Sequence, residues 1–371
     1  MKKKIQIAAG FAIAAFLVWF LFKDTNWDEV GKAIKEIHWG WFALAHVPLL
    51  MSFIFRIVRW KYIVNSVTPT SFRNLASATQ IGFLGNMVLP ARAGEGVRAL
   101  VLTRHTKVPF SKTFAFVALD RVTDLFGLIA IMLVAIFAYR PELAVTIPGA
   151  TFGLSEDIVF SPTTYQTGAY GMGFVLFGII AVFVLLYAQK AFILKVVQAV
   201  VGVVSESLSN LGVRLLTQFA EGLDVFKSPR DMAMAIVFSL ATWMMPVLFF
   251  MCTLKAFGID APWYTAFVMQ SILSVFIAVP GAPGFVGQFH VPVVITLVMI
   301  VSGINIDQAK AFAIINHLAQ LPPIILSGGY FLFKDGFQLT SLAHEGEEMM
   351  HEEGLHEIKA AEENEKDTVE R

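Results

Sequence analysis

Apolar residues gather in long blocks along this chain. Predominantly apolar runs cover residues 5–22, 39–58, 114–138, 170–188, 233–254, 263–280, 285–302 and 311–333. Each is close to the ~20 residues that a helix needs to cross a hydrocarbon core. The pattern predicts an all-α, polytopic integral membrane protein with about eight membrane segments, two of them irregular. The first run follows Met1-Lys2-Lys3-Lys4. A signal peptide shares that basic start, but no small-x-small cleavage site follows, so the run reads as an uncleaved first helix. The lysines predict a cytoplasmic N-terminus and a multi-pass protein of the cell inner (cytoplasmic) membrane.

The connecting segments differ in kind. The run 39–58 ends in Arg56, Arg59, Trp60, Lys61 and Tyr62, which reads as a basic-aromatic collar at a cytoplasmic interface. Residues 139–169 are rich in Pro and Gly with Arg140 as the one basic residue, and read as a non-cytoplasmic loop. Within 189–231, Leu208, Leu211, Leu215, Phe219, Leu223 and Phe226 recur every three or four positions. That spacing predicts an amphipathic helix, lying either on the cytoplasmic membrane surface or against protein. The chain divides into a membrane domain, 1–340, and an acidic tail, 341–371, expected to be disordered or a frayed helix.

Two apolar stretches are too short and end abruptly. Ala76–Leu89 runs into Pro90-Ala91-Arg92-Ala93-Gly94-Glu95-Gly96-Val97-Arg98, and Phe267–Val279 runs into Pro280-Gly281-Ala282-Pro283-Gly284-Phe285-Val286-Gly287. Proline stops a helix and glycine permits a tight turn. Both breaks follow the pattern apolar-apolar-Pro-x-x-x-Gly and lie 190 residues apart. Broken segments in corresponding halves point to re-entrant helices in an inverted repeat, with chance as the rival explanation for so short a match. Pro90, Gly94, Pro280, Gly281, Pro283, Gly284 and Gly287 are the expected hinges of the two tips.

Composition sharpens the class. The 371 residues are 56% hydrophobic and 15% charged, which argues against a disordered chain and an ordinary soluble enzyme. The net charge of zero hides an asymmetry: residues 341–371 hold 11 acidic and 3 basic side chains, so the membrane body carries a balance of +8. Its basic residues flank apolar spans, which suits anionic lipid headgroups and not nucleic acid. Cys252 is the single cysteine, so no intramolecular disulfide forms. His344, His351 and His356 have no i, i+4 spacing, and no metal or cofactor is expected.

The charges inside apolar segments carry the chemistry. Asp120, Arg121 and Asp124 sit in the run 114–138, where each charge costs about 2.5–3.5 kcal/mol at a helix centre. Asp120 and Asp124 share a helix face, and Arg121 can pair with either, or with Glu95 across the bundle. They are either a structural ion-pair network, or a site for a charged headgroup, or both. Gln288 and His290 follow the second tip. There, as for Asn316 and His317 in the last run, a hydrogen-bonded structural role competes with a ligand role.

These residues resemble the lysylphosphatidylglycerol synthase transmembrane family, the flippase domain of the multiple peptide resistance factor, over roughly residues 5–335. Pro90, Arg92, Gly94, Glu95 and Arg98 resemble its Pro-x-Arg-x-Gly-Glu-x-x-Arg signature. Asp120, Arg121 and Asp124 resemble its Glu-Arg-x-x-Asp element, with Asp in place of the first Glu. Pro283, Gly284 and Gly287 resemble its Pro-Gly-x-x-Gly element. Gln288 and His290 stand where many members carry a glutamate. The resemblance implies a membrane domain that moves lipids or lipid-linked headgroups between leaflets, with Arg92, Glu95, Arg98, Arg121 and Asp124 as its polar positions. Only the tail follows residue 335 here, so lipid lysylation is not expected.

The expected function is a lipid flippase or transporter, not an enzyme, whose partners are membrane lipids. A second copy of the chain or a partner synthase is the protein partner this reading leaves room for. The alternatives are an accessory subunit for lipid or glycan synthesis and an intramembrane enzyme acting on a lipid-linked substrate. Without Gly-x-x-x-x-Gly-Lys-Ser/Thr, energy would come from a gradient or a partner.

Overall fold

The computed structural model describes residues 19, 21–89, 92–141, 144–147, 156–202, 213, 228–278, 283–342, 344–346 and 348–349. Pro90, Pro280 and Gly281, most of the 5–22 run, most of the predicted amphipathic segment 189–231 and residues 350–371 lie outside them. The described chain is helical. Its one exception is a short antiparallel ribbon in the 139–169 loop, Val145–Ile147 (β1) paired with Ile158–Phe160 (β2).

The helices in chain order are α1 Trp27–Lys35, α2 Trp39–Asn65, α3 Phe72–Val88, α4 Gly94–Thr106, α5 Phe110–Ala138, α6 Pro162–Gly202, α7 Pro229–Ala256, α8 Thr265–Ala278, α9 His290–Ile300 and α10 Ile306–Asp335. Among the described residues, α2, α5, α7 and α10 are long and apolar enough to cross a membrane. α6 contains the 170–188 run and changes direction at Gln189.

Among the described residues, the runs 263–280 and 285–302 fall short of full-length crossings. They form the short helices α8 and α9, of 14 and 11 residues. These rise only about 21 and 16 Å, well short of a ~30 Å core. Joined by the Pro/Gly-rich break, they make one helical hairpin. α3 and α4, of 17 and 13 residues, make the other.

The two halves repeat one plan. The order α2, α3, α4, α5 has lengths of 27, 17, 13 and 29 residues; the order α7, α8, α9, α10 has 28, 14, 11 and 30. The equivalent helices α2 and α7 pack antiparallel. The His38 N–H before α2 donates to the Ala256 carbonyl at the end of α7 (2.8 Å), while Tyr62 near the far end of α2 stacks on Phe238.

The hairpins enter from opposite ends. At the base of α3–α4, Arg73, Ser77 and His105 gather on Asp335 at the end of α10, and Thr103 meets Thr113 at the start of α5 (2.7 Å). At the base of α8–α9, Tyr264 packs on Tyr139 beyond the end of α5, and the Tyr139 hydroxyl donates to the Met299 carbonyl. A two-fold axis in the membrane plane relates halves in this way.

Close backbone approach shapes the first hairpin. A Cβ on Gly94 would fall 2.1 Å from the Gly82 carbonyl oxygen, so only glycine lets α4 start against α3. One helix was not expected. α1 is a short amphipathic helix capped by Asn26, whose side chain accepts from the Asp28 and Glu29 N–H groups. It is tied to α10 where Asp307 accepts from the Asn26 N–H and Lys310 donates to Thr25.

The start of the tail is helical and packed. Leu342 is fully buried against the first hairpin, Glu345 pairs with Arg104, and 344–346 and 348–349 are helical. The start of the acidic tail is therefore a docked part of the body, because Leu339, Leu342 and Met349 give it an apolar face.

Candidate functional site

The breaks in both hairpins point at one another. Arg92, in left-handed backbone (φ 57°), extends its guanidinium from the first tip to the Ile277 carbonyl near the end of α8. That carbonyl is among the last four of its helix, which have no partner within the helix. At the second tip Gly284 (φ 68°) places its backbone beside the Met87 carbonyl. A cavity of about 300 Å³ lies between the tips, α2, α5, α7 and α10. Its walls are mostly apolar, with Phe53, Phe83, Phe249, Phe250, Phe285 and Phe289. Into them project Arg56, Arg92, Glu95 and Arg121, the amides Asn86, Gln270 and Gln320, and His317.

Behind the cavity stands a charge network built on α5. Asp120 is fully buried and accepts from Arg59 Nε (2.9 Å) and Arg98 Nη1 (2.7 Å). Asp124, one turn on, accepts from Arg59 (2.6 Å), Arg56 (3.1 Å), Arg121 (3.0 Å) and the Trp243 indole N–H (3.1 Å). The same Arg121 pairs through its other terminal nitrogen with Glu95, which also accepts from the Asn86 amide (3.2 Å). The Arg98 guanidinium carbon lies over Trp60, 3.7 Å from the ring centroid. Guanidinium forks suit such multiply shared carboxylates, and aromatic faces shield the remaining charge. Removing one member of a buried pair leaves the other uncompensated.

The predicted residues thus fall into three places. Arg92, Glu95 and Arg121 line the cavity, with Gly284 in its wall. Arg98, Asp120 and Asp124 lie one layer behind and hold the wall in position. Gln288 and His290 sit beneath the second tip, away from the cavity. The Gln288 amide donates to the Phe276 carbonyl, and the His290 ring accepts from the Gly287 N–H (3.2 Å) and packs edge-on to His317.

Arg56 and Arg59 correct the sequence reading. They are not an interfacial collar: α2 continues to Asn65, and Arg59 and Trp60 have no exposed surface. Their three-residue spacing within an apolar run was the available signal. Trp243, Asn86 and Gln270 gave none.

A correspondence between the halves ties the site to the repeat. Asp120, Arg121 and Asp124 stand at the eleventh, twelfth and fifteenth positions of α5, and Asn316, His317 and Gln320 hold the same positions in α10. Each long helix grips its own hairpin tip from the second of these. Arg121 holds Glu95, and His317 Nε2 meets the Gly284 carbonyl at 2.8 Å.

The motif residues that suggested a family therefore converge in space, and a family profile, the lysylphosphatidylglycerol synthase TM region, matches residues 7–328. The chain belongs to that family. A curated relative, "Glycosyltransferase AglD" of Haloferax volcanii, is 25% identical over 372 residues, covering 96% of this chain and 58% of the relative. The chain thus spans little more than half of that protein's length. Family membership and the membrane-length helices make this a multi-pass membrane protein.

Proposed function

We propose that the chain is a lipid transporter that moves a phospholipid or lipid-linked headgroup between leaflets without altering it. The observation that carries this reading is the cavity between two oppositely inserted hairpin tips, lined by Arg56, Arg92, Arg121 and Glu95 within apolar walls. Guanidiniums offer paired donors to phosphate oxygens. Two hairpins entering from opposite ends supply one gate for each side of the bilayer. In this reading the headgroup displaces Glu95 from Arg121 and the Ile277 carbonyl from Arg92, while the acyl chains stay in lipid. Family membership supports a lipid-related role. Lys61, Arg73, Arg104, Lys107 and Lys112 around the base of the first hairpin support a cytoplasmic position for that end.

The test is exchange of headgroup-labelled lipids in liposomes carrying the pure protein, read as label made accessible to an impermeant quencher. Exchange above empty liposomes is expected, and Arg121→Ala should abolish it, with Glu95→Gln as a milder companion. Normal exchange in a folded Arg121→Ala protein would sink the assignment. A second reading, an enzyme or accessory subunit for a lipid-linked glycan, draws on the name of the Haloferax relative. Recovery of a chemically altered lipid, not a relocated one, would favour it.

A further inference from the structure

The charges around the cavity do not cancel. Among the described residues, Arg56, Arg59, Arg92, Arg98 and Arg121 gather with Glu95, Asp120 and Asp124, so two positive charges are in excess. Arginine stays protonated in proteins. Every one of the three carboxylates is already ion-paired, whereas Arg92 bonds only a backbone carbonyl.

Among the described residues, no neighbouring group supplies the missing negative charge. The tip residues Pro90, Ala91 and 279–282 are uncharged. Asn86, Gln270 and Gln320 are neutral amides. The tips bring together the C-terminal ends of α3 and α8 and the N-terminal ends of α4 and α9, whose dipoles oppose one another. The second repeat, with Asn316, His317 and Gln320 in place of Asp120, Arg121 and Asp124, contributes no counter-charge.

We propose that the cavity takes a doubly charged phosphate headgroup, a phosphate monoester, in preference to a singly charged phosphodiester. The proposal rests on the transport reading above and adds the headgroup class. Unbalanced charge in an apolar bundle is unfavourable and is best offset by an anion of equal and opposite charge. A phosphate monoester carries close to two negative charges above its second ionisation near pH 6, whereas a phosphodiester carries one. Arg56, Arg92 and Arg121 all reach the cavity wall, enough donors for the three terminal oxygens of a monoester. Soluble phosphate esters share this chemistry, so the experiment must separate the sources.

The full chain, in nanodiscs of neutral phosphatidylcholine, is titrated with phosphatidic acid or phosphatidylglycerol of identical acyl chains, or with soluble glycerol 3-phosphate. Thermal stability is followed throughout. Phosphatidic acid should act at a mole fraction about tenfold below that of phosphatidylglycerol, because the second charge adds attraction at low dielectric. Arg92→Gln and Gln270→Glu each remove one excess charge, and each should shrink that preference to about threefold or less. Gln270→Glu keeps every arginine and so still reports if Arg92→Gln fails to fold.

Equal or stronger action of phosphatidylglycerol, or a preference unchanged in both variants, would overturn the headgroup assignment. Lipid exchange in liposomes would then still uphold the transport reading. Glycerol 3-phosphate acting as strongly as phosphatidic acid would support the monoester chemistry but overturn a lipid source. No stabilisation by any of the three overturns the assignment, and absent lipid exchange in addition would remove the transport reading with it.

Discussion

The two hairpins share a backbone plan and differ in what holds their tips. The first tip is fastened by charge: Glu95 to Arg121, and through it to Asp124, Arg59 and Asp120. The second is fastened by neutral hydrogen bonds, His317 to the Gly284 carbonyl, Gln288 to Phe276, and His290 to the Gly287 N–H. Arg92 is the side chain that crosses between them. Duplicating a fold therefore did not duplicate its electrostatics. One half brings the charged side chains to the cavity; the other contributes neutral ones.

That contrast can be broken by substitution. The largest effect should come from Asp120→Ala, which strands Arg98, takes one of two carboxylates from Arg59 and should cost about 3–5 kcal/mol. Its counterpart Asn316→Ala loses one bond to the Phe312 carbonyl and should cost about 1 kcal/mol. Thermal denaturation in detergent ranks the pair, and equal losses would refute the asymmetry. Next, Gly94→Ala forces a Cβ onto the Gly82 carbonyl and should cost at least about 1–3 kcal/mol. Gly284→Ala meets nothing closer than 3.8 Å and should cost only the left-handed backbone, about 1–2 kcal/mol. His317→Ala leaves the Gly284 carbonyl without its donor, for about 1–3 kcal/mol, and should loosen the second tip while preserving the first. Reduced lipid exchange with intact ion pairing in the first hairpin would show this. At the far end, Lys32→Ala breaks an exposed pair with Glu29 and should shift neither stability nor exchange.

Much of this was legible in the sequence because breaking a membrane helix needs Pro and Gly, and burying charge in one is costly. Those two facts exposed both tips, Asp120, Arg121, Asp124 and the pairing of Arg121 with Glu95. Arg56 and Arg59 were misread because their run closes in Trp60, Lys61 and Tyr62, the same composition an interface uses. Burial depends on α5 and α7 packing over them, which no local pattern records. α1 was missed because its apolar face is only a few residues long. The burial of Leu342 was not legible because the tail's eleven acids hide its few apolar positions.

The location of the ion pairs has a consequence for the order in which the protein is made. Arg56, Arg59, Glu95, Arg98, Asp120, Arg121 and Asp124 all belong to the first half, and their ionic partners do too. A chain emerging from the ribosome can pair these costly membrane residues with one another before α7 has been translated. The second half then arrives as a neutral clasp, closing Trp243 over Asp124 and offering Ile277 to Arg92. Reversing the order of the halves in a circular permutant would leave the charges intact but make the ribosome deliver the clasp before the residues it closes upon.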